Sequence, residues 1–105
     1  YESYVHGYRV MAEMAGNMLR MSLDAFVNQD TALAEDVRAM DGRVDEMKNS
    51  FYDRIKADTM VMPDKTGKLI NMLLISRHLE RIADHATNIA EEVIYMKRGE
   101  IVRHR

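Results

Sequence analysis

Asp41 and Asp45, four residues apart, and then Glu80, Asp84 and Asn88 at the same spacing are the side chains best placed to do chemistry. Residues four apart on an α-helix lie one above the other on a single face. Three oxygen ligands stacked in that way make half of a hard-cation site. A second helix with a matching pair supplies the rest. All-oxygen ligands of this kind suit Fe, Mn, Mg, Ca or Zn. Function therefore turns on whether Asp41/Asp45 and Glu80/Asp84 face each other.

The same residues also fit a solvated salt-bridge face. Arg38, Lys48, Arg77 and Arg81 each lie three residues from Asp41, Asp45, Glu80 and Asp84 respectively. Intrahelical ion pairs at that spacing contribute about 0.2–0.5 kcal/mol each. Beside a bound metal, Arg77 and Arg81 would instead contact bridging or phosphate anions. Carboxylates about 6 Å apart repel by roughly 1.4 kcal/mol per pair at an effective dielectric of about 40. Something cationic has to offset that repulsion.

The elements that carry these residues are helical. Apolar residues make up 47% of the 105, charged residues 30%, and there are one proline and five glycines, so few positions break a helix. A first helix is expected over about residues 3–27, with Tyr4, Tyr8, Met11, Ala15, Met18 and Phe26 on one stripe and Met14 and Met21 widening it. Asn28-Gln29-Asp30 interrupts the pattern, and Asp30 is suited to cap the next helix. Leu33, Val37, Met40, Val44, Met47 and Phe51 then repeat in steps of three and four to a stop near Asp58. Pro63 disfavours helix at Met62, so the chain turns there.

The third helix carries Met72, Ile75, Leu79, Ile82, Ala86, Ile89, Val93 and Met96 at the same steps. Gly99, after Lys97-Arg98, has the setting of a glycine that ends a helix. The sum is an all-α, up-down-up three-helix bundle in one domain, residues 1–105, with a basic tail over 100–105. Its hairpin supports a registry. Asp45 precedes Met62 by 17 residues and Glu80 follows it by 18, while Asp41 precedes by 21 and Asp84 follows by 22. At about 1.5 Å rise per residue the two pairs sit nearly level. All four acids lie beside the apolar seams, and Glu80 shares a heptad stripe with Leu73, Thr87 and Ile94.

Several function classes are disfavoured. There are no cysteines, so no disulfide or thiolate site. A net charge of −2 supplies no basic field for nucleic acid. The apolar run from Leu69 to Ile75 is too short to cross a bilayer, and no signal peptide is visible. The start at Tyr1, without Met and inside a helical pattern, reads as part of something longer. No glutamate is followed by His at the third position, as ferritin-like di-iron enzymes require. Ser22, Ser50 and Ser76 lack an evident base, and the lone Gly67 forms no phosphate loop. Met11, Met14, Met18 and Met21 read as core, and His78 and His85 as solvent-exposed; His6 and His104 lie at the ends.

The third helix resembles the C-terminal signature of the PhoU family of phosphate-signalling regulators. The resemblance rests on Ser76-Arg77-His78-Leu79-Glu80-Arg81-Ile82-Ala83-Asp84, Asn88-Ile89-Ala90-Glu91, Tyr95, Gly99 and Val102-Arg103-His104. It extends upstream through Met18-Leu19, Ala25-Phe26, Asp30, Asp41 and Val44-Asp45, and Ala83 stands where the family often has glycine. It implies a PhoU-like, spectrin-like three-helix repeat, one half of a six-helix protein. It also implies a Glu/Asp-x-x-x-Asp motif on two helices that holds iron or zinc clusters or other divalent cations such as Mn or Mg. Transferred residue by residue, the metal ligands would be Asp41, Asp45, Glu80 and Asp84, with Asn88 auxiliary and Arg77 and Arg81 as anion contacts.

The resemblance further implies a cytoplasmic, non-enzymatic adaptor that represses high-affinity phosphate uptake. Its implied partners are the phosphate ABC transporter's ATPase and the phosphate-sensing histidine kinase, with no nucleic acid and at most a peripheral place at the membrane. As a single repeat it would pair as a homodimer or pack on a sister repeat. The other contexts are the cytoplasmic tail of a sodium–phosphate cotransporter and a purely structural helical module.

Overall fold

A computed structural model describes the backbone of residues 2–103 and the side chains of residues 4–99. The basic tail expected over 100–105, His104 included, lies outside the described side chains. Three α-helices follow one another: α1 (Glu2–Asn28), α2 (Thr31–Val61) and α3 (Thr66–Arg103), with a 3-10 turn at Pro63–Lys65 before α3. They form an all-α up-down-up bundle, elongated to 63 × 19 × 17 Å.

Local chemistry sets both links. At the end of α1, Gln29 takes a left-handed φ of 53°. Its N–H reaches the Phe26 carbonyl at 3.4 Å, while Asp30 N–H reaches the Ala25 carbonyl at 2.9 Å. That double bond pattern ends a helix by satisfying two orphan carbonyls. Asp30 then caps α2, its carboxylate accepting from Leu33 N–H at 3.1 Å. Met62, held out of helical geometry at φ −128° and ψ 68° before Pro63, makes the second link. Its N–H still closes α2 on the Asp58 carbonyl at 2.8 Å.

The core is narrow and its centre is small-residued. Met11 and Met18 of α1 meet Val37 and Val44 of α2 and Leu69 and Val93 of α3, all fully buried. Along α3 the innermost row is Leu69, Ser76, Ala83, Ala86, Ala90 and Val93. The periodicity placed Ile75, Ile82 and Met96 on the α3 seam, but they are exposed, as is Phe26 of α1. Small side chains let the helices approach closely, so the bulkier neighbours are displaced to the flank. The buried hydroxyls of Ser22 and Ser76 are satisfied within their own helices, donating to the Leu19 and Leu73 carbonyls at 2.7 Å each.

One further expectation is corrected. Gly99 does not end α3, which continues to Arg103, and no described glycine has a positive φ. Lacking the left-handed turn that a terminating glycine supplies, the chain at Gly99 stays helical at a cost of up to about 1 kcal/mol relative to Ala.

Near the α2–α3 turn an aromatic cluster locks α1 in place. Tyr8 donates to the Met72 carbonyl at 2.5 Å, and its ring lies 4.6 Å from that of Phe51. Tyr4 donates to the Asp58 carboxylate, and the Arg54 guanidinium lies 4.1 Å above the Tyr4 ring. Phe51 rests on Gly7, where a Cβ would come within 2.6 Å of the ring. These contacts fix the height of α1 against the α2–α3 hairpin.

Candidate functional site

Asp41 and Asp45 project from α2, and Glu80 and Asp84 from α3, onto the edge where those two helices meet. Two contacts across the helices set the register there. The Lys48 ammonium of α2 lies 2.6 Å from the Glu80 carboxylate of α3. The Thr87 hydroxyl of α3 lies 3.2 Å from Asp41 of α2 and 3.0 Å from the Ala83 carbonyl, sharing its single hydrogen between the two acceptors. Asp41, Asp45 and Glu80 are half-buried, while Asp84 is exposed.

The acids of both helices act on Asp84 and on Lys48. Although Asp84 is exposed as a residue, partial desolvation of its carboxyl against the neighbouring helix surface pushes it above its ordinary 3.8, and the charges of Glu80, Asp41 and Asp45 push it further, in that order. Lys48 opposes them. The Lys48 ammonium is itself raised, chiefly by its hydrogen bond to Glu80 and also by the charges of Glu80, Asp45 and Asp84. Asp84 thus lies within electrostatic reach of acids on both helices.

The expected intrahelical ion pairs are largely absent. Arg38 turns to Glu35 at 3.4 Å instead of Asp41, and Lys48 crosses to Glu80 instead of pairing with Asp45. Arg77 and Arg81 make no ion pair among the described residues. Side chains on adjacent helices compete with those three residues away, and for Lys48 the acid concentration across the groove wins. Asn88 is exposed and lines an outer hollow with His85, Glu91, Glu92 and Tyr95. The α3 oxygen that reaches Asp41 comes from Thr87. The heptad relation of Thr87 to Glu80 was the only sequence signal for it.

The donor set is that of a hard-cation site, four carboxylates held against their own repulsion. As the side chains stand, however, no three Asp, Glu or His among the described residues are close enough together to hold an ion. Lys48 occupies the place where positive charge is needed. Both partners of that ion pair are partly exposed, Lys48 at 33% and Glu80 at 20%.

A slender three-helix bundle with an acid-lined α2–α3 edge defines an all-α helical repeat. The matching family model, the PhoU domain, spans residues 8–93, and the chain belongs to that family. It is 38% identical over 96 residues to the phosphate-specific transport system accessory protein PhoU homolog of Pseudomonas aeruginosa, covering 91% of this chain and 40% of the relative. The Synechocystis homolog of the same name is 40% identical over 92 residues, covering 85% and 39%. The Xylella fastidiosa Temecula1 homolog is 33% identical over 92 residues, covering 88% and 38%. The chain thus spans about two-fifths of the length of the curated relatives it matches. Among the described residues no helix is long and apolar enough to cross a membrane.

Proposed function

We propose that this repeat is a non-enzymatic, cation-binding adaptor accessory to phosphate transport, acting on the cytoplasmic side. What supports the reading is the placement of Asp41 and Asp45 on α2 and of Glu80 and Asp84 on α3 along one edge, bridged by the Lys48–Glu80 and Thr87–Asp41 contacts. A bound divalent cation or iron, zinc or manganese cluster would neutralise these acids and tie α2 to α3. Glu80 would exchange Lys48 for it, and Thr87 would keep Asp41 in place. The phosphate role rests on the names of the relatives, accessory proteins of a phosphate-specific transport system. The partners would be that system's ATPase and a phosphate-sensing histidine kinase.

The test is metal content and metal-dependent melting of the purified chain, first stripped with chelator and then given Fe, Zn, Mn or Mg. The parent should retain one of them and melt higher with it, by about 2.7 kcal/mol of stability at a hundred times Kd. The Asp45→Ala/Asp84→Ala double variant should do neither. Equal metal content in the two proteins refutes the site. Capture of the ATPase or the kinase by the full-length parent protein, but not by one carrying the double variant, tests the adaptor role.

The outer side of α1 and α3 supports a companion reading. Leu23, Phe26 and Val27 of α1 and Ile75, Ile82 and Met96 of α3 are exposed. A sister repeat or a second copy would bury them. Sedimentation of the chain as a monomer removes the second copy, and a monomer of the full-length protein with these residues open to solvent removes the sister repeat.

A further inference from the structure

Beside the acid cluster, toward the α2–α3 turn, lies a cleft of about 450 Å³ lined by Lys48, Asn49 and Tyr52 of α2 and Leu73, Arg77 and Glu80 of α3. Its lining offers two cations against one carboxylate, together with an amide and a phenol. The Arg77 guanidinium has no ion pair or hydrogen bond among the described residues, although acids crowd the neighbouring turn. Arg81, the other basic residue of that stretch, does not line the cleft. Lys48 and Glu80 belong to both the cleft and the acid cluster, and they are joined at 2.6 Å.

We propose that this cleft binds a phosphoryl group through Arg77 and Lys48, and that the Lys48–Glu80 pair couples its occupancy to a cation on the acid cluster. A carboxylate would be satisfied by the Arg77 fork alone. A dianionic tetrahedral group also uses the Lys48 point charge and the Asn49 and Tyr52 donors on the opposite wall. Tyr52 and Leu73 give the cleft an apolar side, so a phosphomonoester fits as well as inorganic phosphate. With Lys48 spent on Glu80, the cleft holds an uncompensated cation only at Arg77. When Glu80 turns toward a cation with Asp41, Asp45 and Asp84, Lys48 is released to face the cleft. Each ligand then tightens the other by the same factor. The coupling rests on the proposed cation site, whereas anion binding itself does not.

The experiment is titration calorimetry of the chain at constant ionic strength with inorganic phosphate, glycerol 3-phosphate and acetate, in chelator and again with Mg²⁺. In chelator, phosphate or the ester should bind more tightly than acetate, and the stronger of the two names the source. Arg77→Ala should weaken that binding about tenfold or more, with the helical circular dichroism unchanged. Absence of binding, or equal binding by the Arg77→Ala variant, overturns the cleft. Mg²⁺ should tighten phosphate several-fold in the parent but not in the Lys48→Met variant. Mg²⁺ uptake by the parent without that tightening overturns the coupling and leaves the cation site standing. No Mg²⁺ uptake, with anion binding intact, refutes Mg²⁺ at the acid cluster and, with it, the Mg²⁺ coupling.

Discussion

Replacing Asp84 by Asn should make the metal-free protein more stable while abolishing its response to metal. Asp84 is exposed on α3, so its side chain contributes little packing, and Asn and Asp have similar helix propensities. What changes is charge. Asp84 stands one turn from Glu80 and across the groove from Asp41 and Asp45, and only Lys48 opposes them. A like-charge pair one turn apart costs about 0.2–0.5 kcal/mol on a helix surface. Three such neighbours, less the attraction of Lys48, give a net of about 0.5–1 kcal/mol at low salt. For a domain of this size that is a rise in Tm of about 2–8 °C. The assay is thermal unfolding by circular dichroism in chelator, on parent and variant.

The pH and salt dependence separate this cause from any other. The folded pKa of Asp84 lies above its ordinary 3.8, so the folded state holds the proton more tightly than the unfolded state does. Stability in the parent is therefore lost as pH rises through the range above 3.8, and it is recovered on acidification. The advantage of Asp84→Asn should be full at pH 7 and vanish below pH 3.8. It should also shrink in 1 M salt, where the Debye length falls to about 3 Å. A gain that is the same at every pH and salt concentration, or no gain at all, refutes the clustering of the four carboxylates.

Gly7 and Gly16 should respond oppositely to alanine. At Gly7 the new Cβ would lie 2.6 Å from the Phe51 ring, whereas nothing lies within 4 Å at Gly16. Gly16→Ala should stabilise by about 0.5–1 kcal/mol from helix propensity, and Gly7→Ala should be destabilised by up to about 2 kcal/mol after overpacking offsets that gain. Urea denaturation gives the order, and a Gly7→Ala protein as stable as Gly16→Ala contradicts the contact. Tyr4→Phe should cost about 1–2 kcal/mol at pH 7 by removing the hydrogen bond to Asp58. The Tyr4 phenol is pushed up to about 12 from 10.0, first by burial and then by the Asp58 hydrogen bond, so its contribution is full below pH 10 and lost as pH rises toward 12. Parent and variant should therefore converge above pH 10 in the same denaturation series, and a gap that persists at pH 12 counts against the bond.

Much of the fold was legible in the residue pattern, because helix periodicity and end signals are local. The steps of three and four, Asp30 as a cap and Met62-Pro63 as a turn fixed three helices and two short links. Local pattern misled where packing decides. Ile75 and Ile82 have the right spacing for a seam, yet Ala83, Ala86 and Ala90 take the centre, because close approach of three helices selects small volume over hydrophobicity. Gly99 carries a terminator's neighbours but stays helical.

The site divides in the same way. The acid types and their four-residue spacing, and hence the affinity for positive charge, belong to the sequence of α2 and α3. Only the tertiary structure decided which positive charge is there, with Lys48 crossing to Glu80 while Arg77 and Arg81 stay without ion pairs among the described residues. It also decided that Thr87 reaches Asp41 while Asn88 turns to an outer hollow. Partners within a helix are set by residue number, but partners between helices depend on rotation about each axis, which is fixed only when the cores of α1, α2 and α3 pack together.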